Sequence, residues 1–276
     1  ADPRGPDRGG GAQRALRTPP GHGECPARNR LTSTNAEGPG IGRAPLRVRP
    51  IHALDTVAAV PTALDLTVGA VLFDMDGTLV DSTPVVEAIW SEFADTYGAD
   101  LPALLRYSHG RQTLDSVLRF LPPGHDPHEV VAALHAEEES RMDGVAEVPG
   151  AGALMRALSG IPVAVVTSAQ RSLAERRMRA AGLPLPSVLV AAEDVPAGKP
   201  SPAGYLRAAR LLGRHPGECI VFEDAEAGLA AGIASGAATV VVGSHESGLT
   251  ADLPRVPDFR AIRIIPAGPA RIRLTT

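Results

Sequence analysis

The chain has 276 residues, of which 44% are hydrophobic and 21% are charged, so it is long enough for one or two domains with a buried core. Its net charge of −4 and its pI near 6.1 argue against a basic nucleic-acid-binding surface. No apolar run approaches the ~18 residues of a membrane span. From the charge we therefore expect no nucleic acid as a partner, and from the missing apolar run we expect no membrane.

The two cysteines, Cys25 and Cys219, lie far apart in the sequence and in dissimilar contexts. Cys25 stands among Gly and Pro, whereas Cys219 begins an apolar run. Such a pair is not typical of a disulfide framework or of a thiolate metal site. We therefore expect a reducing compartment, and a cytoplasmic location, for this chain.

Residues 1–66 differ in composition from the rest of the chain. They are dense in Gly, Pro and Arg, contain no Phe, Tyr or Trp, and show no sustained helical or strand period. A segment of this kind buries too little apolar surface to offset the entropy that ordering costs. We predict a disordered N-terminal extension; a targeting arm is the alternative, because arginine outnumbers the acidic residues there.

The first element predicted after the extension is a short strand over the apolar run of residues 69–73. Asp74 and Asp76 follow it directly, one residue apart and before the turn-forming Gly77. Ligands bind at the carboxyl ends of strands in open parallel sheets. Two carboxylates held together there repel each other unless a cation lies between them, so the pair predicts a metal-assisted reaction centre.

Helical patterns follow the aspartate pair. Thr83 and Pro84 are typical of a helix start, a capping residue followed by Pro, and apolar residues then recur every four positions. Further helices are predicted around 112–120 and 127–142, with no strand-like run between them. Residues 84–147 therefore indicate a helical insertion.

From residue 148 onward, strand patterns alternate with helix patterns. The predicted strands are 161–166, 187–191, 219–222 and 239–242, and the predicted helices are 173–181, 201–213 and 225–235. Each predicted strand is a continuous apolar run rich in β-branched residues. Repeated units of this kind predict a parallel sheet that is covered on both faces. The fold class is therefore α/β, with a Rossmann-like parallel-sheet core over 67–83 and 148–265. Residues 266–276 form either a last strand or a tail.

Polar side chains stand where the predicted strands end or just before a helix begins. They are Asp74, Asp76, Thr167, Ser168, Lys199, Glu223 and Asp224. In a doubly wound sheet these positions converge on one crevice. Lys199 is the one lysine among 27 basic residues, which indicates a site that needs a compact ammonium instead of a planar fork. The combination suits a hard cation and a phosphoryl group.

These residues resemble the motifs of the haloacid dehalogenase superfamily of phosphotransferases. The resemblance consists of an apolar strand followed by D-x-D-G-T at residues 74–78, a strand ending at Thr167, the loop residue Lys199, and a strand ending in the acidic pair at 223–224. The four motifs occur in the family's order and cover about residues 68–250. The resemblance implies that the insertion over 84–147 is a small helical cap.

The resemblance also implies roles in catalysis. Asp74 would be the nucleophile that forms an aspartyl-phosphate, and Asp76 would protonate the leaving alkoxide and then activate water. Thr167 and Lys199 would bind the phosphoryl oxygens together with the backbone N–H of Ser168.

By the same resemblance, the cofactor is Mg²⁺. Its ligands would be the Asp74 carboxylate, the Asp76 backbone carbonyl and the Asp224 carboxylate. Glu223 would support the ion directly or through water. A carboxylate can approach a phosphate only where positive charge offsets the repulsion, which agrees with this assignment.

Within the superfamily, four stretches are similar to glycerol-phosphate and 2-deoxyglucose-6-phosphate phosphatases. They are residues 108–115, 147–151, 193–200 and 222–228. The first of them contains Gly110 and Arg111, which would lie on a cap loop that closes over the site and meets the non-reacting end of the substrate.

The sequence therefore predicts Mg²⁺-dependent hydrolysis of small phosphate monoesters, polyol or sugar phosphates, through an aspartyl-phosphate, by a monomer or weak homodimer. One alternative is a phosphosugar mutase of the β-phosphoglucomutase type, whose cap needs cationic phosphate ligands. Arg106, Arg111 and Arg119 could serve as those ligands. The second alternative is a non-catalytic phospholigand-binding or regulatory protein. Such a protein should have lost the nucleophile or the metal carboxylates, all of which are present here.

Overall fold

A computed structural model of the chain describes residues 64–268 and 271–276. The predicted extension, as far as residue 63, lies outside the described residues. Among the helices of the described part, none combines the length and the apolar character needed to cross a bilayer.

Eleven strands and eight α-helices make up the described part of the chain. The strands are β1 (Asp65–Val68), β2 (Ala70–Phe73), β3 (Val80–Asp81), β4 (Ala146–Glu147), β5 (Val163–Val166), β6 (Val188–Val190), β7 (Cys219–Glu223), β8 (Ala238–Val242), β9 (Arg255–Val256), β10 (Arg263–Pro266) and β11 (Ile272–Thr275). The helices are α1 (Thr83–Tyr97), α2 (Leu101–Ser108), α3 (Thr113–Phe120), α4 (Pro127–Ser140), α5 (Ala151–Ala157), α6 (Arg171–Ala180), α7 (Ala203–Leu211) and α8 (Glu226–Ser235).

Six parallel strands form the central sheet, in the order β6-β5-β2-β7-β8-β9. The chain builds β5 and β6 on one side of β2 and then returns to build β7, β8 and β9 on the other. The direction of winding therefore reverses at β2, and a crevice opens beyond the carboxyl ends of the strands at such a reversal. The predicted Rossmann-like α/β core is confirmed.

Both faces of the central sheet are buried, because successive strand residues point to opposite sides. On one face, the rings of Phe73, Phe222 and Phe259 pack with centroids 5.3–5.8 Å apart, in the same cluster as side chains of α5 and α6. On the other face, Leu72 packs in a cluster with Tyr205 of α7 and with α8. This two-sided burial explains why the strands read as continuous apolar runs.

Helices α1 to α4 form the cap between β3 and β4, two short strands that pair antiparallel. Trp90, Phe93, Leu104 and Val117 give these helices a buried cluster of their own. Helix α1 ends at Gly98, whose φ of 68° is in the left-handed region that a C-terminal cap favours. Helix α2 was missed by the sequence analysis, as were α5 and the β3-β4 pair.

A second sheet joins the two ends of the described chain and corrects the boundary of the predicted extension. Strand β11 pairs antiparallel with both β1 and β10. Residues 65–66, assigned to the extension, therefore belong to a strand, and β11 lies within the segment 266–276, predicted as a strand or a tail. This pairing joins residues more than 200 positions apart, so no local pattern reveals it.

We expect Leu274→Ala to lower the free energy of unfolding by about 2–5 kcal/mol, because the Leu274 side chain is fully buried and its removal leaves a cavity. Ile265→Ala, on the same sheet but exposed, should change it by less than about 0.5 kcal/mol. Urea unfolding of both variants checks this. Equal effects would contradict the placement of β11 against the core.

Candidate active site

The carboxyl ends of β2, β5 and β7 bring the predicted catalytic residues together. The hydrogen-bond ladder of the sheet continues into the first functional residues. The N–H of Asp74 donates to the carbonyl of Phe222 (3.0 Å), and the N–H of Thr167 donates to that of Val190 (2.9 Å). These side chains are therefore placed by strands instead of by free loops, which holds their positions tightly.

Lys199 lies buried between two carboxylates. Its Nζ donates to Asp74 Oδ1 and, at 2.6 Å, to Glu223 Oε1. Burial alone lowers the pKa of an ammonium, but the two adjacent carboxylates hold the pKa of Lys199 above its ordinary value. The lysine is therefore charged at neutral pH, as its predicted role as a ligand for phosphoryl oxygens requires.

The Glu223 carboxylate is saturated with donors. The hydroxyl of Tyr205 donates to Oε1 at 2.6 Å, beside Lys199. Backbone N–H groups of Asp224 (3.1 Å) and Ala225 (3.4 Å) donate to Oε2. Since four donors already occupy its oxygens, Glu223 orients Lys199 in this arrangement. The sequence analysis missed Tyr205, which lies within helix α7 among core residues.

Asp74 has the environment of a reactive carboxylate. Burial raises the pKa of Asp74 well above its usual range, the charge of Glu223 raises it further, and the charge of Lys199 opposes both effects. An additional cation close to Asp74 would favour its ionised form. The nucleophile predicted from the sequence therefore lies where positive charge is still needed.

Three carboxylates, those of Asp74, Glu223 and Asp224, offer oxygen atoms within 4.8 Å of one another. The Thr78 hydroxyl donates to Asp224 Oδ1 (3.1 Å) and His109 Nε2 lies 2.8 Å from Oδ2. Oxygen ligands of this kind suit a hard cation such as Mg²⁺. Because Glu223 is already saturated, Asp74 and Asp224 are the better candidates for direct ligands.

Close backbone approach at Gly77 shapes this acidic cluster. Its φ of 85° lies in the left-handed region, and a Cβ at this position would overlap the Asp224 carboxylate. The glycine of the D-x-D-G-T motif is thus required by space as well as by conformation.

The Asp76 carboxylate is held by groups that the sequence analysis missed. Ser82 Oγ donates to its Oδ1 (2.7 Å), and Arg177 Nη1 donates to its Oδ2 (3.1 Å). Arg177 is 2% exposed and also donates to Glu138 of the cap (3.1 Å). The available signal was the position of Arg177 on the apolar face of α6, four residues after Leu173.

The cap loop that contains Gly110 lies against the core. The Ser168 hydroxyl donates to the Gly110 carbonyl at 2.8 Å, and Gln112 Nε2 donates to the Ala192 carbonyl at 3.2 Å. Gly110 has a φ of 74°, and a Cβ there would lie 2.7 Å from that of Ala225. The structure is therefore that of a closed cap.

A cavity of about 170 Å³ lies between the cap and the core. Predicted site residues among its lining are Asp74, Asp76, Gly110, Arg111, Thr167 and Ser168. Lys199 and Glu223 lie behind Asp74, linked to it by the hydrogen bonds given above. Cap residues that line the cavity and were not predicted include Trp90, His135 and Glu138. The site is thus a cleft between cap and core with two aspartates in its lining.

Comparisons with known proteins agree with this geometry. A family model described as haloacid dehalogenase-like hydrolase matches residues 68–236. Hexitol phosphatase A of Escherichia coli (strain K12) is 42% identical over 190 residues, which cover 67% of this chain and 85% of that protein. Glycerol-1-phosphate phosphohydrolase 2 of Saccharomyces cerevisiae is 38% identical over 185 residues, covering 63% and 74%.

Among solved structures, a HAD family hydrolase from Deinococcus radiodurans R1 with bound phosphate and sodium is similar to this chain. The two are 31% identical, with a TM-score of 0.52, over 69% of this chain and 91% of the other.

We expect Lys199→Arg to lower the free energy of unfolding by about 1–3 kcal/mol, because the larger guanidinium overfills the space between the two carboxylates. The reverse exchange at an exposed position of α7, Arg210→Lys, should change it by less than about 0.5 kcal/mol. Chemical denaturation measures both. An unchanged stability of Lys199→Arg would show that the site does not discriminate between the two cations.

Proposed function

The chain belongs to the haloacid dehalogenase-like hydrolase family and is a phosphatase, and we propose that it hydrolyses small polyol or sugar phosphate monoesters with Mg²⁺. One observation supports this most directly: Asp74, held by Lys199, lines the cleft between cap and core together with Asp76. A nucleophile and an acid–base group in one site are what a two-step phosphate transfer requires. The alternative of a non-catalytic binding protein is not favoured.

In the first step, a carboxylate oxygen of Asp74 attacks phosphorus and the bond to the leaving alkoxide breaks. Asp76 gives its proton to that alkoxide, so a neutral alcohol leaves and an aspartyl-phosphate remains. Lys199 bonds to Asp74 and offsets part of the repulsion between the carboxylate and the incoming phosphoryl group. Thr167 and Ser168 line the cavity, and the Thr167 hydroxyl and the Ser168 backbone N–H would bind the phosphoryl oxygens.

In the second step, Asp76 accepts a proton from a water molecule as the water oxygen attacks phosphorus. The bond between phosphorus and the Asp74 oxygen breaks, which releases inorganic phosphate and restores the carboxylate. The closed cap limits the number of water molecules near the intermediate, so the attacking one has a defined position.

The Asp74 and Asp224 carboxylates and the Asp76 backbone carbonyl are the groups that would hold Mg²⁺. The bound ion supplies positive charge against the phosphoryl oxygens. Glu223, whose oxygens already accept from four donors, would support the ion through water. The donor set fits, because it consists of oxygen atoms gathered around a carboxylate whose pKa is raised by burial and by negative neighbours.

The substrate class is inferred from the size of the cavity and from the relatives. A volume of about 170 Å³ suits a small monoester instead of a polymer. The lining combines the apolar ring of Trp90 with polar groups such as Arg111 and His135, which suits a hydroxylated carbon chain. The names of the relatives, a hexitol phosphatase and a glycerol-1-phosphate phosphohydrolase, point to the same class.

A phosphosugar mutase remains the enzymatic alternative, and its cap would have to bind a second phosphate. Arg111 and Arg119 both place a guanidinium carbon 4.6 Å from the ring centroid of Tyr107, so that ring competes with a phosphate for them. This arrangement favours hydrolysis. Release of inorganic phosphate without a bisphosphate activator would distinguish the two reactions.

We expect Asp74→Asn to reduce phosphate release from glycerol 1-phosphate or a hexitol phosphate by about 10³-fold or more, because the amide cannot serve as the nucleophile. Asp95→Asn, exposed on α1, is the matched control and should keep full activity. Circular dichroism verifies that both variants fold. Phosphate release by Asp74→Asn at the wild-type rate would refute the assigned nucleophile.

We also expect a chelator to abolish activity and Mg²⁺ to restore it. Asp224→Asn should weaken Mg²⁺ binding by about tenfold or more, because it removes a charged oxygen ligand. Isothermal titration calorimetry measures the affinity, and the exposed Asp252→Asn serves as control. Equal affinity in both variants would exclude Asp224 as a ligand.

A further inference from the structure

We propose that Arg177 is a positioning residue that holds the Asp76 carboxylate for proton transfer and that Glu138 of the cap anchors Arg177. The inference rests on the proposed function, because it concerns the acid–base group of that reaction. It assigns a task to a buried arginine and a partly buried glutamate, both outside the motifs that the sequence analysis identified.

Two hydrogen bonds hold the Asp76 carboxylate in place. Each of its carboxylate oxygens has one donor: Ser82 Oγ at 2.7 Å and Arg177 Nη1 at 3.1 Å. Ser82 precedes α1, where the chain enters the cap, whereas Arg177 belongs to core helix α6. The carboxylate is thus held from both sides, and its orientation in the cavity depends on both donors.

The guanidinium of Arg177 is buried, although it carries a charge. Arg177 is 2% exposed and lies on the face of α6 that also buries Ala174 and Met178. A charge in such a place is costly unless it is well paired, and apolar pairs of similar volume are often at least as stable. Folding alone therefore gives little reason for an arginine at this position.

Arg177 bonds to one carboxylate of the core and to one of the cap. Its planar fork donates to Asp76 through Nη1 and to Glu138 through Nη2, both at 3.1 Å. The side chain of Glu138 is 13% exposed, so this second contact is also largely shielded from water. A lysine could not make both bonds with a fixed geometry. The guanidinium therefore joins the acid–base residue of the core to helix α4 of the cap.

The consequence concerns the leaving group. Proton donation in the transition state depends on the position of the acid relative to the departing oxygen. An alkoxide leaves poorly without a proton, whereas p-nitrophenolate leaves readily without one. Loss of Arg177 should thus slow the cleavage of alkyl phosphates much more than that of p-nitrophenyl phosphate.

The test compares kcat/KM for glycerol 1-phosphate and p-nitrophenyl phosphate, since this ratio covers only the steps up to departure of the leaving group. We expect Arg177→Met to reduce kcat/KM about tenfold or more for the alkyl phosphate and less than about threefold for the aryl phosphate. Arg179→Met, which removes an exposed arginine from the same helix, should leave both values unchanged.

A double-mutant cycle provides a second readout that uses the alkyl phosphate alone. In an Asp76→Ala background, Arg177→Met should lower kcat/KM for the alkyl phosphate by less than about threefold, because Asp76, the partner of Arg177, is already absent. The proposal would be overturned if the reductions in kcat/KM of the two single variants multiply in the double variant. It would also be overturned if Arg177→Met lowered kcat/KM equally for the alkyl and the aryl phosphate.

Two further variants guard against misfolding and test the anchor. The pair Arg177→Met with Glu138→Leu removes both buried charges and should fold while keeping the selective loss. Glu138→Gln, which retains an acceptor oxygen for Arg177, should lose less activity on the alkyl phosphate than Glu138→Leu. Equal losses in these two would overturn the role of Glu138. A wild-type enzyme inactive on every phosphate ester would instead refute the proposed function itself.

Discussion

The contact of Lys199 with Asp74 and Glu223 is the interaction on which the rest of the site depends. It joins the ends of β2 and β7 to the loop before α7 and leaves one ammonium between two buried carboxylates. Removing one partner from such a buried group costs about 3–5 kcal/mol, because the remaining charge stays in the interior. The same contact keeps the lysine charged and close to the nucleophile, so stability and chemistry rely on one arrangement.

The carboxylates of the acidic cluster repel one another, and the positive charge of the protein around them does not fully offset this repulsion. Asp74, Glu223 and Asp224 are close together, and Lys199 is the basic residue that bonds to two of them. The burial that raises the pKa of Asp74 makes the site receptive to further positive charge. A site that favours a cation in this way also favours a dianionic phosphate beside that cation, which is the physical basis of the proposed activity.

The cap meets the core through polar contacts as well as through apolar packing, in which Val85 and Ile89 of α1 share a cluster with core residues. Gly110 accepts from Ser168, Gln112 donates to the core, and Glu138 bonds to Arg177. The two neutral hydrogen bonds, made by Gly110 and Gln112, contribute little net free energy each, about 1 kcal/mol. Such contacts can form and break during turnover, which suits a cap that must admit substrate and release phosphate.

Much of the core could be predicted from local patterns. The strands from β2 to β8 in the central sheet lie within two residues of their predicted bounds, since buried parallel strands read as short apolar runs. The pairing of β1 with β11 could not be predicted, because it joins distant residues whose side chains carry no matching local signal. Helix α5 was missed for a related reason, because its 7 residues are too few to show a period.

The sequence by itself determined that the aspartate pair and the acidic pair stand at the ends of strands and that the single lysine stands in a loop before a helix. These assignments depend only on residue type and on neighbours along the chain. The tertiary structure alone decided which oxygen of each carboxylate meets which donor. It showed Glu223 saturated by Tyr205 and Lys199, and Asp76 joined to the cap through Arg177. Such pairings arise between side chains from distant parts of the chain that packing brings to hydrogen-bond distance, and spacing along the sequence does not encode them.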